Sequence, residues 1–362
     1  MVKFFYKPKI NYLKKNNLHK IINYYSNLKV NEIYHPTLFW KNLITKNTKQ
    51  IRKNGLENFR NSKNYLSGFI PLYSLLNHFK NKKIIFDLEK QLKKSISIKK
   101  RKIEITYKLK NFLNGIDRAN LQFQVLLTDT SKPYFYKFKE SKIGNPSEVF
   151  KFGEYRFSAS SLNYLTGMLF LKNKIKNLEN KTFLEIGGGF GSLGEVLNKL
   201  FKKIKYINLD LFPLNIVCEN YLRKTFNVSI KNHLDFANKN KINISKLGKL
   251  NCFLNSDIDK LVGSVDIFIN FISFQEMRLD VVNNYINKLN LLKPKYILLR
   301  NIREGKQDKK NKDIPYVEKK ITKADYLKLF KDNYKFVEAN VEPYGHKTWD
   351  GFHSELILFK KK

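Results

Sequence analysis

From Glu185 to Gly194 the chain reads Glu-Ile-Gly-Gly-Gly-Phe-Gly-Ser-Leu-Gly, with glycine at positions 187, 188, 189 and 191. Such a stretch permits a tight turn and lets a ligand approach the backbone. A helix beginning just after it adds free N–H groups at its N-terminus. The context fits: Thr182–Ile186 is a short apolar run of strand character, and Leu193 to Phe201 has helical spacing. Gly189–Gly194 matches G-x-G-x-x-G, a dinucleotide pattern. Glu185, Gly187, Gly189 and Gly191 also match acid-x-Gly-x-Gly-x-Gly, and an acid before the first glycine suits a cofactor bearing an ammonium group. Asp210 ends the next strand, about 20 residues on, where a carboxylate can accept both ribose hydroxyls. The second feature fits either cofactor; the first favours S-adenosylmethionine.

The expected cofactor-binding set is therefore Glu185, Gly187, Gly188, Gly189, Gly191 and Asp210. Asp257 joins it as a partner for the adenine amino group, and Asn270 as the residue ending the fourth strand. Methyl transfer from a sulfonium to a hydroxyl needs the two reactants positioned and the hydroxyl proton removed. Ser273-Phe274-Gln275-Glu276-Met277 follows the fourth strand, and ligands bind at the carboxyl edge of such a sheet. Glu276 is the first candidate for a general base or hydroxyl anchor, with Gln275 as a hydrogen-bonding neighbour. The alternative for Glu276 is an acid in a first helical turn that complements the dipole. His346 and His353 lie in a loop rich in Gly, Trp and Asp between the last two strands, and could overhang the same site. His19, His35, His78 and His233 read as structural. Asp257, Asp259 and Asp350 share no ligand spacing, so no metal is expected.

These residues need elements to hold them. The first half reads as mostly helical, with a helix start at His35-Pro36-Thr37, a break at Ser67–Pro71 and a closing turn at Gly144-Asn145-Pro146. The second half alternates short apolar runs with helical patterns. Strands are expected at Thr182–Ile186, Tyr206–Leu209, Asn251–Leu254, Val265–Asn270 and Tyr296–Leu299. Pro294 stops one helix and Thr322 caps another. Phe336–Val341 and Glu355–Phe359 read as a final antiparallel pair, because the link between them is too short for a crossover helix. The expected fold is α/β: a mostly parallel Rossmann-like sheet over 151–362 behind a mainly helical region over 1–150 that binds acceptor, pairs subunits, or both.

The 362 residues carry 69 Lys plus Arg against 31 Asp plus Glu, a net charge of +38. A nucleic acid, an anionic lipid or a nucleotide-linked substrate would suit such a surface. The lysines are nonetheless spread along a Lys-, Asn- and Ile-rich chain rather than gathered on one element, which favours compositional drift over a dedicated nucleic-acid site. Lys99–Lys102 reads as a solvated cluster. The basic stretch Arg303–Lys320 reads as a surface loop, or as a lid whose lysines meet substrate phosphates. With 42% hydrophobic and 14% aromatic residues the chain is a folded one. Two cysteines, Cys218 and Cys252, make no disulfide framework. Together with the absence of a long apolar run, this points to the cytoplasm, with peripheral contact at the inner membrane face an option.

The runs FLEIGGGFGSLGEVL (Phe183 to Leu197), YINLDLFPL (Tyr206 to Leu214) and VDIFINFISFQEM (Val265 to Met277) resemble the sugar O-methyltransferases of bacterial surface-glycan clusters. FWKNLI (Phe39 to Ile44), GLENFR (Gly55 to Arg60) and IGNP (Ile143 to Pro146) extend the resemblance over most of the chain. It implies a class I methyltransferase fold, S-adenosylmethionine as donor and a sugar hydroxyl as acceptor, free or nucleotide- or lipid-linked. The chain departs from the family in its lysine load and at Leu299-Arg300, before Asn301. A methyltransferase of RNA or another nucleic acid is the competing expectation. The fourth strand lacks the Asn-Pro-Pro-Tyr run of DNA amino-group enzymes, and neither cysteine adjoins a proline. A non-catalytic scaffold and a dehydrogenase rank lower.

Overall fold

The computed structural model describes residues 15–61, 66, 115–147, 149–175, 177–305, 319–347 and 352–362. The break at Ser67–Pro71, the cluster Lys99–Lys102, most of the basic stretch after Arg303 and the Trp349–Gly351 part of the last loop lie outside them.

Seven strands build the main sheet: β1 (Thr182–Ile186), β2 (Lys205–Asp210), β3 (Leu250–Leu254), β4 (Ile267–Phe271), β5 (Tyr296–Ile302), β6 (Tyr334–Asn340) and β7 (His353–Lys361). Their order is β6-β7-β5-β4-β1-β2-β3, with short pieces at Lys231–Asn232 beyond β3 and His346–Lys347 beside β7. β1 to β5 pair in parallel, while β7 runs antiparallel to both β5 and β6. This is the Rossmann-like sheet with a terminal antiparallel pair that the sequence predicts. β3 and β4 are buried at every position, as parallel strands covered on both faces must be. The edge strand β6 is largely exposed and carries a register shift between Phe336 and Glu338, a common way to blunt an edge.

The helices are α1 (Lys15–Ser26), α2 (Leu38–Asn54), α3 (115–127), α4 (Ala159–Lys174), α5 (Ser192–Leu200), α6 (Leu214–Phe226), α7 (Leu279–Leu292) and α8 (Lys323–Phe330). α7 ends at Lys293 in the left-handed region, one residue before Pro294. Thr322 and Asp325 close a capping box on α8, as expected. The start of α2 differs from expectation: Thr37 is its N-cap and Pro36 lies outside, because a separate short turn, Glu32–Tyr34, precedes it.

Two cores fill the faces of the sheet. One gathers α4, α5 and α6, the other α7 and α8. Leu18, Ile21, Ile22 and Tyr25 of α1 belong to the first, where Tyr25 stacks on Phe212 at 5.2 Å. Each such side chain contributes about 1.5–3 kcal/mol by burial. Among the described residues no helix is long and apolar enough to cross a membrane.

Candidate active site

The chain leaves β1 for β2 in one direction across the sheet and reaches β4 on the other side, so the carboxyl ends of β1 and β4 flank a topological switch point. A cleft of about 340 Å³ opens there. Gly187–Gly189 follow β1, Asp210 ends β2, Asn255 follows β3, Ile272, Ser273 and Glu276 follow β4, and Arg300 comes from β5.

The glycine loop is pinned from below. Gly187 N donates to Leu209 O at 2.8 Å, Gly188 N to Asn208 Oδ1 at 3.1 Å and Gly189 N to Asp210 Oδ2 at 2.8 Å. These three amides are therefore committed within the protein. Gly187 has φ +74°, and a Cβ there would collide with Ser273 Oγ. A Cβ on Gly188 would run into the Glu185 and Asn208 side chains. We expect Gly187→Ala to lower stability by about 1–3 kcal/mol, through left-handed strain plus overpacking. Urea unfolding of both proteins checks this, and an unchanged midpoint would contradict it.

Asp210 lines the cleft with Oδ2 on Gly189 N and Oδ1 on Leu211 N at 2.7 Å. Burial pushes its pKa up to about 7 against the pull of those two N–H groups. Glu185 is different. It is fully buried beneath the loop, off the cleft wall, and accepts from Tyr164 Oη at 2.7 Å and from Tyr206 Oη. Its expected contact with an ammonium group gives way to a buried carboxyl–tyrosine cluster, with a pKa pushed up to about 7 by desolvation.

Glu276 faces the cleft from the short turn Ser273–Glu276, and Trp40 Nε1 donates to its Oε2 at 3.0 Å. That contact comes from a wall the sequence did not reveal: Tyr34, His35, Pro36, Thr37 and Trp40 close one side. The wall is fastened to the sheet by Asn255 Nδ2 on Tyr34 O at 2.9 Å and by Tyr34 Oη on Asp259 at 2.6 Å. Ile272, at φ +73° and 41% exposed, stands at the mouth. A β-branched residue in that region is strained, and such strain gathers at ligand sites.

Several expected site residues serve the scaffold. Asn270 is buried, donating to Ile186 O and accepting from Phe274 N, both at 2.9 Å, and so ties the end of β1 to the turn after β4. Gln275 Oε1 accepts from Ile302 N at 2.7 Å. Asp257 is buried against His233 Nδ1 at 2.7 Å and Leu254 N at 3.2 Å, off the cleft; Asn255 stands there in its place. His353 pairs with Glu304 and lies off the cleft. His346 lies off the cleft with Nε2 on Arg118 Nη1 at 2.8 Å, and burial plus Arg118 and Arg300 hold its pKa down at about 2. An imidazole so weakly basic is no general base at neutral pH.

Sequence reasoning missed Tyr164, Asn163, Tyr285 and Arg300 on the cleft wall. Only Arg300 carried a signal, a charge inside the apolar run Tyr-Ile-Leu-Leu-Arg-Asn-Ile of β5.

No family model and no curated protein matches the chain. Solved structures similar to it include the mitomycin 7-O-methyltransferase MmcR, 12% identical, with a TM-score of 0.38 over 57% of this chain and 55% of that one. The chain thus spans little more than half of that relative. Magnesium protoporphyrin IX methyltransferase from Synechocystis PCC 6803 is also similar, at 12% identity and a TM-score of 0.36, over 58% of this chain and 87% of that one. A SAM-dependent methyltransferase from Aquifex aeolicus has 16% identity and a TM-score of 0.35, over 56% and 93%.

Proposed function

We propose that this protein is an S-adenosylmethionine-dependent O-methyltransferase acting on a sugar hydroxyl of a surface glycan or its nucleotide- or lipid-linked precursor. The observation that carries the methyltransferase reading is the pairing, in one switch-point cleft, of Asp210 with a glycine loop closed to any Cβ at Gly187 and Gly188. These residues fit the cofactor: a carboxylate at the end of β2 suits a ribose diol, and the bare loop leaves room for a chain to cross β1. Bound there, the cofactor supplies a methyl group activated on a sulfonium.

The chain's own residues do the rest. Asp210 accepts hydroxyl protons in hydrogen bonds and fixes the donor end. Glu276 orients the acceptor hydroxyl and takes up its proton, with Trp40 Nε1 donating to its Oε2 to fix the carboxylate. The 34–40 segment, Ile272 and Met277 close the cleft and exclude water. The sugar acceptor rests on the family words of the sequence, above all Ser273–Met277.

The test is incubation of the purified protein with methyl-labelled S-adenosylmethionine and bacterial extract, with and without nuclease. Label in a glycan or nucleotide-sugar fraction that nuclease leaves intact is the expected result. Label that vanishes with nuclease would transfer the activity to nucleic acid and make the +38 charge the better guide. No label and no cofactor binding would overturn the enzyme. Glu276→Gln is expected to lower kcat by roughly 10²- to 10⁴-fold with cofactor affinity unchanged; full activity in that variant would remove Glu276 from the chemistry.

A further inference from the structure

We infer that the β5 end of the cleft binds an oxyanion of the acceptor, a carboxylate or a phosphate, with Arg300 as its principal ligand. The word acceptor rests on the methyltransferase reading; the anion site itself rests on the side chains below.

Arg300 has no exposed surface, yet it lines the cleft. Its Nη2 is fully used, with Asn163 O at 3.0 Å, Thr166 Oγ1 at 3.1 Å and Tyr344 O at 3.0 Å sharing its two N–H groups. Its Nε and Nη1 are buried with no hydrogen-bond partner among the described residues. No carboxylate pairs with it among those residues either. A buried guanidinium without a counter-charge costs several kcal/mol, and a protein that keeps one in the wall of a cleft has a reason outside its own stability. The planar fork suits a carboxylate or phosphate, which takes two parallel N–H bonds from it.

The group is also held ready. The guanidinium lies over the Phe271 ring at 5.1 Å, and Phe271 stacks on Tyr164 at 5.0 Å and 7°. Behind it, Arg118 donates to Nε2 of His346 at 2.8 Å. A guanidinium only donates, so Nε2 must be the accepting nitrogen and the proton of this neutral imidazole sits on Nδ1. That Nδ1 is a further buried donor with no acceptor among the described residues. Burial lowers both arginines to about 9, which leaves each charged at neutral pH.

Position assigns the anion to the acceptor and not to the cofactor. Arg300 is on β5 and Asp210 on β2, three strands apart in the order β5-β4-β1-β2. At about 4.8 Å per strand the separation is roughly 14 Å along the sheet. That corner lies beyond β4, the strand that leads into Glu276, and so on the acceptor's side of the cleft.

The experiment uses the full chain at fixed ionic strength. Glucuronate, glucose 1-phosphate and glucose are titrated by calorimetry into protein saturated with S-adenosylhomocysteine, and again into free protein. Binding of either anion but not of glucose is expected, and glucuronate against glucose 1-phosphate tells carboxylate from phosphate. Arg300→Met is expected to weaken that binding by roughly 10- to 100-fold, the loss of charge-assisted bonds, while S-adenosylhomocysteine affinity stays put. Arg300→Lys, which keeps the charge but loses the fork, serves if the methionine variant does not fold, and is expected to weaken it less. Anion binding undiminished in Arg300→Met, or in Arg300→Lys where the methionine variant does not fold, is the general attraction of a +38 chain and would overturn the inference, as would equal response to glucose. So would a loss of S-adenosylhomocysteine affinity alone, which would give Arg300 to the cofactor's carboxylate. If S-adenosylhomocysteine fails to bind the unaltered protein, the methyltransferase reading falls while the free-protein titration still decides the anion site.

Discussion

Asp210→Ala is expected to weaken S-adenosylhomocysteine binding by roughly 100-fold or more. Hydrogen bonds to a charged group contribute about 1.5–3 kcal/mol each, and a ribose diol offers two. The same carboxylate holds Gly189 N at 2.8 Å and Leu211 N at 2.7 Å, so alanine also releases the glycine loop from the end of β2. Asp210→Asn keeps the shape and one acceptor oxygen and is expected to fall between. Calorimetric titration reads the affinity, and circular dichroism of each variant separates lost contacts from lost fold. A well-folded alanine variant with unchanged affinity would remove the cofactor from this cleft. Asp210 also sets a pH dependence. Ligand hydroxyls bond best to the charged form, and burial raises the free group to about 7. Affinity should therefore rise as pH climbs toward 7 and level off above it.

The sheet was legible because buried parallel strands write themselves as unbroken apolar runs between turn signals. Thr182–Ile186 matches to the residue, and the others shift by one to three positions at their ends, where pattern is weakest. The glycine loop and Asp210 were legible for a related reason: a strand-to-helix turn with bare glycines has few other uses. Polar residues at strand ends were not. Asn270, Gln275 and Asp257 look like ligands in sequence, yet each is spent on a backbone group or on His233. A carboxamide that ties down a loop and one that meets a cofactor have the same spacing. The 34–40 wall was invisible because its place against Glu276 is set by contacts more than 200 residues apart in the chain. Arg300 is the reverse case. Its charge lies inside an apolar run of the sequence, Tyr296–Ile302, but only the accounting of its nitrogens gives that anomaly a direction.

Glu185 yields the second large expectation, a stability that falls as pH rises and a variant that removes much of the fall. The carboxyl is fully buried, and desolvation raises it from 4.5 to about 7 although Tyr206 and Tyr164 both donate to it. Between those two values the folded protein holds a proton that the unfolded chain has released. Unfolding then releases a proton, so stability declines as pH rises through the window. The contribution is greatest below about 4.5 and is lost by about 7, a change of roughly 3 kcal/mol at 1.36 kcal/mol per unit. Asp210, raised in the same way, adds in the same direction. Glu185→Gln replaces the carboxyl with a neutral group of its shape that can accept from one tyrosine and donate to the other. The variant should lose the Glu185 share of the slope and keep that of Asp210. Urea unfolding at steps from pH 5 to 8 measures both proteins, and their difference cancels every other titrating group in this highly charged chain. Identical slopes would show that Glu185 stays ionised in the fold, with the two tyrosine hydroxyls outweighing its burial.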